Sequence, residues 1–190
     1  MSVVASGYER QQNDLYETPA WVTHALVRAI QFSPGGETIW EPAAGNHKIA
    51  DVLRESGARV ITSDIATYGR AHDSLFDFLE GGEPVGDHRP THLITNPPYG
   101  KQNRLATKFA RLALKRCDGV VALLLTAKFD FGKTRTDLFR DNPRFFAKVA
   151  LLDRIQWFDG DSGSTEDHAW FVWGLPGQKH VPRMLWEARP

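Results

Sequence analysis

Leu93-Ile94-Thr95-Asn96-Pro97-Pro98-Tyr99 is the stretch whose reading decides the fold. Leu93 to Thr95 is a short apolar run, set off by a turn-rich segment from Gly81 to Pro90 on one side and by two prolines on the other. A run bounded in this way reads as a buried strand. Pro97 and Pro98 neither continue a strand nor let a helix start at once, because each fixes its own backbone and restricts the residue before it. The result is a stiff loop at the carboxyl end of a strand, where open α/β sheets place their ligands. Asn96 offers an amide oxygen there, and Tyr99 a ring and a hydroxyl.

The surrounding chain supplies an α/β context. Thr18-Pro19 reads as a helix start, threonine as N-cap and proline in the first turn, followed by Val22, Ala25, Leu26 and Ala29 at helical spacing. Thr38-Ile39-Trp40 is a first core strand, Glu41-Pro42-Ala43-Ala44-Gly45 the turn leaving it, and a helix with Ile49, Val52 and Leu53 comes next. Arg59 to Ser63 makes a second strand that delivers Asp64. Leu75-Phe76 forms a short third, with Asp77 and Phe78 at its end. After the Asn96 strand, Leu105, Phe109 and Leu112 mark a helix, and the continuous run Val120 to Leu125 suits a central parallel strand. Val149 to Trp157 and Ala169 to Trp173 are the sixth and seventh strands, joined by a Gly/Ser/Asp loop that allows antiparallel pairing. Alternating strands and helices predict a mostly parallel, doubly wound seven-stranded sheet, antiparallel at its last strand, with helices on both faces.

The chain has 190 residues, with 23 basic against 23 acidic side chains. That length suits one domain spanning 1–190, its residues 1–15 a loose polar arm. Balanced charge leaves any nucleic-acid contact to a local basic patch. The single Cys117 allows no internal disulfide and no cysteine-based zinc site. No run is long enough for a membrane span, and Met1 to Arg10 lacks the pattern of a signal peptide, so the expected location is cytoplasmic, with no metal and no membrane partner.

Asn96-Pro97-Pro98-Tyr99 resembles the signature of S-adenosylmethionine-dependent methyltransferases that act on planar amino groups, chiefly N6 of adenine. The resemblance extends over nearly the whole chain and implies a Rossmann-like class I methyltransferase fold. Glu41-Pro42-Ala43-Ala44-Gly45 resembles the family's glycine-rich motif, Asp64 with Ile65 its acidic second-strand motif, and Asp77-Phe78 its third. Tyr16-Glu17-Thr18-Pro19 is similar to the element preceding the first strand in many DNA adenine methyltransferases. The resemblance implies that S-adenosyl-L-methionine lies along Tyr16, Thr18, Pro19, Glu41, Pro42, Ala43, Gly45, Asp64, Ile65, Asp77, Phe78 and Asn96. Its carboxylate would meet helix N–H groups, its ribose Asp64 and its adenine Asp77 and Phe78. His47 departs from the pattern: it stands where many relatives have a second glycine. Taken one at a time, Glu41 or Asp64 also reads as a helix cap or turn former, and Gly-rich strand-to-helix turns occur in nucleotide and flavin proteins too.

Methyl transfer to an amino group asks for two acceptors on its hydrogens, which the Asn96 side-chain oxygen and the Pro97 carbonyl supply while Pro97 and Pro98 hold the loop rigid. Tyr99 would stack on a base taken out of a duplex, with Trp157 or Phe158 against its other face. Lys128, Lys133, Arg135, Arg140, Arg144 and Lys148, interleaved with phenylalanines, read as phosphate contacts or as a solvated face over core rings, with Lys101 and Arg104 adding to the patch. His168 reads as structural.

The implied activity is DNA adenine-N6 methylation, as in the small phage and prophage enzymes. RNA adenine, a protein glutamine amide, and an inactive cofactor-binding subunit are the alternatives. Glutamine-directed relatives usually carry a helical domain ahead of the first motif, and none is expected here. Few residues follow Trp173, so no separate target-recognition domain is expected either. Site choice would then rest on loops, a homodimer or a specificity partner.

Overall fold

The structure, a computed structural model, describes residues 15–82, 90–157, 165–174 and 181–190. Five strands run parallel in chain order: β1 (Thr38–Glu41), β2 (Arg59–Asp64), β3 (Ser74–Leu75), β4 (His92–Thr95) and β5 (Val121–Thr126). Helix α1 (Ala20–Ala29) precedes β1, α2 (Lys48–Glu55) joins β1 to β2 and α3 (Arg104–Arg116) joins β4 to β5. Among the described residues no helix lies between β2 and β4, where the sequence pattern led to strict alternation. β6 (Phe145–Leu151), β7 (His168–Trp173) and β8 (Arg183–Glu187) complete an eight-stranded sheet in the order β3-β2-β1-β4-β5-β7-β6-β8. β7 is antiparallel to both β5 and β6, whereas β8 lies parallel to β6 at the edge.

The side-chain alternation of the central strands divides the core. Ala122 and Leu124 of β5, with Trp170 and Val172 of β7, face α1 and α2 through Leu26, Ile49 and Leu53. Val121, Leu123 and Leu125, with Phe171 and Trp173, face α3 through Phe109, Ala110 and Ala113. Buried indoles keep a partner for their N–H: Trp40 donates to Ser63 Oγ at 2.9 Å, and Trp170 to the Val22 carbonyl at 2.8 Å.

Three further sequence expectations are corrected. The sheet has eight strands rather than seven: β7, expected as the last strand and antiparallel, is antiparallel, and a further strand, β8, follows it parallel to β6. β8 escaped detection because Met184 and Trp186 on its outer face are apolar yet exposed, so Arg183 to Glu187 shows no polar-out alternation. β6 starts at Phe145 and ends at Leu151, which leaves Trp157 in irregular chain beyond the strand. A bulge between Phe145 and Ala147 displaces the period-2 pattern there. Finally, Pro19 rather than Thr18 occupies the N-cap of α1, which has no side-chain cap.

Candidate active site

β1 and β4 are neighbours, with β2 and β3 continuing on one side and β5 on the other. That reversal of strand order opens a crevice at the carboxyl ends. A cavity of about 400 Å³ fills it. The β1–α2 turn, Asp64 and Ile65, Asp77 and Phe78, and Asn96 with Pro98 line it, and the segment Leu15 to Thr18 runs along one wall. Residues from four strand ends, expected from sequence to act together, therefore share one space.

The glycine-rich turn is held by carboxylates. Asp64 Oδ2 accepts the Gly45 N–H at 2.9 Å and Oδ1 accepts the Ile65 N–H at 2.7 Å. Glu41 Oε2 accepts the Ala50 N–H at 2.9 Å, capping the first turn of α2. Burial raises the Glu41 carboxyl well above the ordinary carboxylate range, against the opposing pull of that N–H and of Arg54. One helix donor of the group expected to meet a ligand carboxylate, the Ala50 N–H, is thus taken by the protein itself. Gly45 stands at φ +49°, and a Cβ there would come within 2.8 Å of Leu15 Cδ1, so the strap packs directly on the turn.

His47 adopts the left-handed conformation, φ 64° and ψ 23°, that a glycine would usually supply. Its ring turns away from the cavity lining, with Nε2 3.0 Å from His72 Nδ1 and Nδ1 3.4 Å from Arg54. Burial first, then the charges of Arg70, His72 and Arg54, pushes its pKa down to about 4. Replacing the glycine therefore changes the outside of the turn and leaves the cavity side open.

Asn96 is fixed by its nitrogen. Nδ2 donates to the Tyr16 carbonyl at 3.3 Å and to Thr18 Oγ1 at 3.2 Å, so the side-chain oxygen is the atom left to act as acceptor. Thr18 is buried for this contact instead of serving as a helix cap. The next residue of the tetrapeptide, Pro97, is buried, and Pro98 faces the cavity. Tyr99 donates its hydroxyl to the Leu124 carbonyl at 3.2 Å, and its ring stacks on His168 with centroids 6.1 Å apart. Trp157 meets the edge of His168 at 5.3 Å and of Tyr16 at 5.6 Å. Tyr16, Trp157, His168 and Tyr99 thereby form one aromatic chain running from the strap to the tetrapeptide.

Asn46 and Glu17 line the cavity although the cofactor contacts expected from sequence omit them, and His168 joins the aromatic chain outside that lining. Asn46 donates to Glu17 Oε1 at 2.5 Å and accepts the Gly69 N–H at 2.7 Å. Its position directly after Gly45 was the available signal. His168 is 5 % exposed, with Nδ1 lacking a partner in the described structure. Burial pushes its pKa down to about 4, which keeps the ring neutral at pH 7. No sequence signal separates it from a core histidine.

Other expected residues hold different places. Phe78 lines the cavity but is 2 % exposed and stacked on Phe109 at 4.1 Å, with Arg116 4.7 Å from its centroid, so it serves as floor. Asp77 accepts the Leu79 N–H at 2.8 Å. Lys101, Lys128 and Lys133 are exposed and carry no ion pair among the described residues. Arg135 lies over Phe129 at 4.7 Å and bonds the Phe131 carbonyl. Lys148 pairs with Asp130 and Arg144 with backbone carbonyls, so these two are engaged in the fold, whereas the exposed Arg140 pairs with its chain neighbour Asp141. Phe158 lies outside the described residues.

No family model and no curated protein matches the sequence. The fold does have relatives. A candidate RNA methyltransferase from Pyrococcus horikoshii superposes with a TM-score of 0.65 at 15 % identity, covering 94 % of both chains. A candidate class I S-adenosylmethionine-dependent methyltransferase from Listeria monocytogenes gives 0.63 at 14 %, over 90 % of this chain and 65 % of that one. The methyltransferase subunit of a type I restriction-modification system from Streptococcus thermophilus gives 0.65 at 12 %, over 90 % of this chain and 47 % of that one. The chain thus spans about half the length of that subunit. The fold is that of class I methyltransferases.

Proposed function

We propose that this protein transfers the methyl group of S-adenosyl-L-methionine to the N6 amino group of adenine in DNA. The observation that carries this reading is the tethering of Asn96 by its amide nitrogen to Tyr16 and Thr18. A tethered nitrogen commits the side-chain oxygen to accepting a hydrogen bond, which is what a planar amino group entering the site requires.

The cavity offers the cofactor acceptors for its hydroxyl and amino hydrogens. Asp64 keeps lone pairs for ribose hydroxyls after accepting two N–H groups, Asp77 presents a carboxylate, and Phe78 closes the floor. The cofactor supplies an electrophilic methyl group on a sulfonium. The chain's own residues do the rest: the Asn96 oxygen and Pro97 carbonyl draw on the amino hydrogens and aim the nitrogen lone pair outward, and the buried Pro97 limits movement of the loop. Tyr99, anchored through its hydroxyl, and Trp157 supply aromatic surface for a base.

RNA adenine is the second reading. It is favoured by the full-length match to the candidate RNA methyltransferase, whereas the match to the restriction-modification subunit covers half of that chain. Labelled S-adenosylmethionine, offered with plasmid DNA, total RNA and a protein extract, separates the readings once the methylated product is identified by mass spectrometry. Label is expected in DNA N6-methyladenine, falling by about 10²–10³-fold in Asn96→Ala, as when an oriented polar group at a reacting centre is removed. Label confined to RNA or protein overturns the DNA assignment, and cofactor binding without transfer overturns the enzyme assignment.

A further inference from the structure

The second half of the sheet ends in a strand built unlike a protected edge. β8 pairs with β6 alone, and among the described residues nothing pairs with its other side. Natural edge strands are usually short, charged or covered, because an open row of N–H and C=O groups is a template for another chain. Here Met184 and Trp186 project from one face, 41 % and 60 % exposed, with Leu152 on the same face beyond β6 at 62 %. The opposite face is tied down. Leu185 packs on the core beneath α1, Arg183 covers Phe146 at 4.5 Å, and Glu187 accepts the Arg28 guanidinium at 2.9 Å.

The backbone points the same way. Leu152 N–H bonds the Glu187 carbonyl, so Glu187 turns toward β6. Alternation then turns the N–H and C=O of Met184 and Trp186 to the open edge. Two copies of β8 related by a two-fold axis normal to the sheet must pair antiparallel and keep each side chain on its own face. Centring that pair on Leu185 sets Met184 opposite Trp186 of the second copy, as hydrogen-bonded pairs. The same register sets Arg183 opposite Glu187, twice. Shifting the centre to Met184 or Trp186 loses both matches. The pattern Arg-Met-Leu-Trp-Glu is self-complementary in charge and in apolar contact about its middle residue.

We propose that β8 is a self-association surface, whose occupant is the β8 strand of a second copy, antiparallel and centred on Leu185, joining two eight-stranded sheets into one. Glu187 then receives two cations, its own Arg28 and Arg183 of the second copy.

Site-specific crosslinking of the full chain tests the register. Opposed residues of a hydrogen-bonded antiparallel pair have Cα atoms about 5.5 Å apart, a separation a disulfide spans. Mixing Met184→Cys protein with Trp186→Cys protein under oxidising conditions is expected to give linked dimers, while each variant alone gives none. The one native thiol, Cys117, is buried and does not compete. Sedimentation of the unsubstituted protein is expected to give a mass twice that of one chain, and Arg183→Glu to weaken association by roughly tenfold, with two attractive pairs turned repulsive. A monomer at the highest soluble concentration overturns the proposal. So does linkage within Met184→Cys alone, which reports another register, or a dimeric mass with no linkage in the mixture, which reports another surface. Far-ultraviolet circular dichroism on each variant ensures that a loss of association is not a loss of fold.

Discussion

The two flanks of β4 solve different problems with similar residues. On the β1–β2 side, polar side chains brace the segments that line the cavity: Asp64 accepts the Gly45 N–H, Glu41 the Ala50 N–H, Asn46 donates to Glu17, and Asn96 donates to the Tyr16 carbonyl and to Thr18. On the β5–β8 side, Arg144 and Lys148 are spent on the fold, and the aromatic chain from Tyr99 to Trp157 runs through His168. The first flank is pre-organised for a small polar ligand. The second presents rings and lysines that carry no ion pair among the described residues, the surface that the proposed function assigns to the substrate. Charge in a sequence therefore does not by itself locate the nucleic-acid face, because the fold uses cations too.

Arg144 gives the largest test of that distinction. Its guanidinium donates to the carbonyls of Gly174, Leu114, Cys117 and Gly119 at 2.7–3.0 Å, joining the end of α3 to the end of β7. Burial lowers its pKa somewhat, as expected for a cation held by neutral acceptors. Arg144→Met leaves several carbonyls without partners and is expected to cost about 3 kcal/mol or more by denaturant unfolding. The salt dependence of DNA binding should stay as it is. A change in that slope without loss of stability would return Arg144 to the nucleic-acid surface.

The same pair of flanks marks what sequence could reveal. The order of β1 to β5 and the presence of α2 and α3 were legible because apolar runs of strand length and stretches of helical periodicity are set off there by glycine stops. The cofactor flank was legible for the same reason: Glu41, Asp64 and Asn96 stand at fixed places after strands. The capping role of Glu41 was legible as one of its two readings, whereas the grip of Thr18 on Asn96 was not, since it joins residues far apart in the chain. On the other flank, Lys148 and Arg144 look in sequence like Lys128 and Lys133. Only tertiary contacts separate a cation under carbonyls from one in solvent. β8 was lost because two outward apolar side chains erased its alternation.

Asp64 gives the middle-sized effect, on the opposite flank. Asp64→Ala leaves the Gly45 and Ile65 N–H groups without their acceptor and removes the carboxylate available to ribose hydroxyls. A loss of about 1–3 kcal/mol in cofactor affinity follows, or roughly 5–150-fold in the Kd of S-adenosylhomocysteine measured by calorimetry. Asp64→Asn keeps one acceptor oxygen and should recover part of that loss. An unchanged Kd in both variants would reduce Asp64 to a brace for the turn.

The smallest effect belongs to Lys128 and Lys133, and it tests the substrate flank most directly. Both are exposed and unpaired by carboxylates among the described residues, beyond the carboxyl end of β5. If each meets one phosphate, replacing either by Gln should lower the slope of log K against log salt by about 1, and affinity only modestly at low salt. The pair Lys128→Gln/Lys133→Gln should lower it by about 2, with Kd for the cofactor and thermal stability unchanged, since neither side chain bonds the fold. Binding measured by fluorescence anisotropy across a salt series reads this directly. An unaltered slope would move the phosphate contacts to Lys101 and Arg104 beside the tetrapeptide, and with them the path by which a strand reaches Asn96.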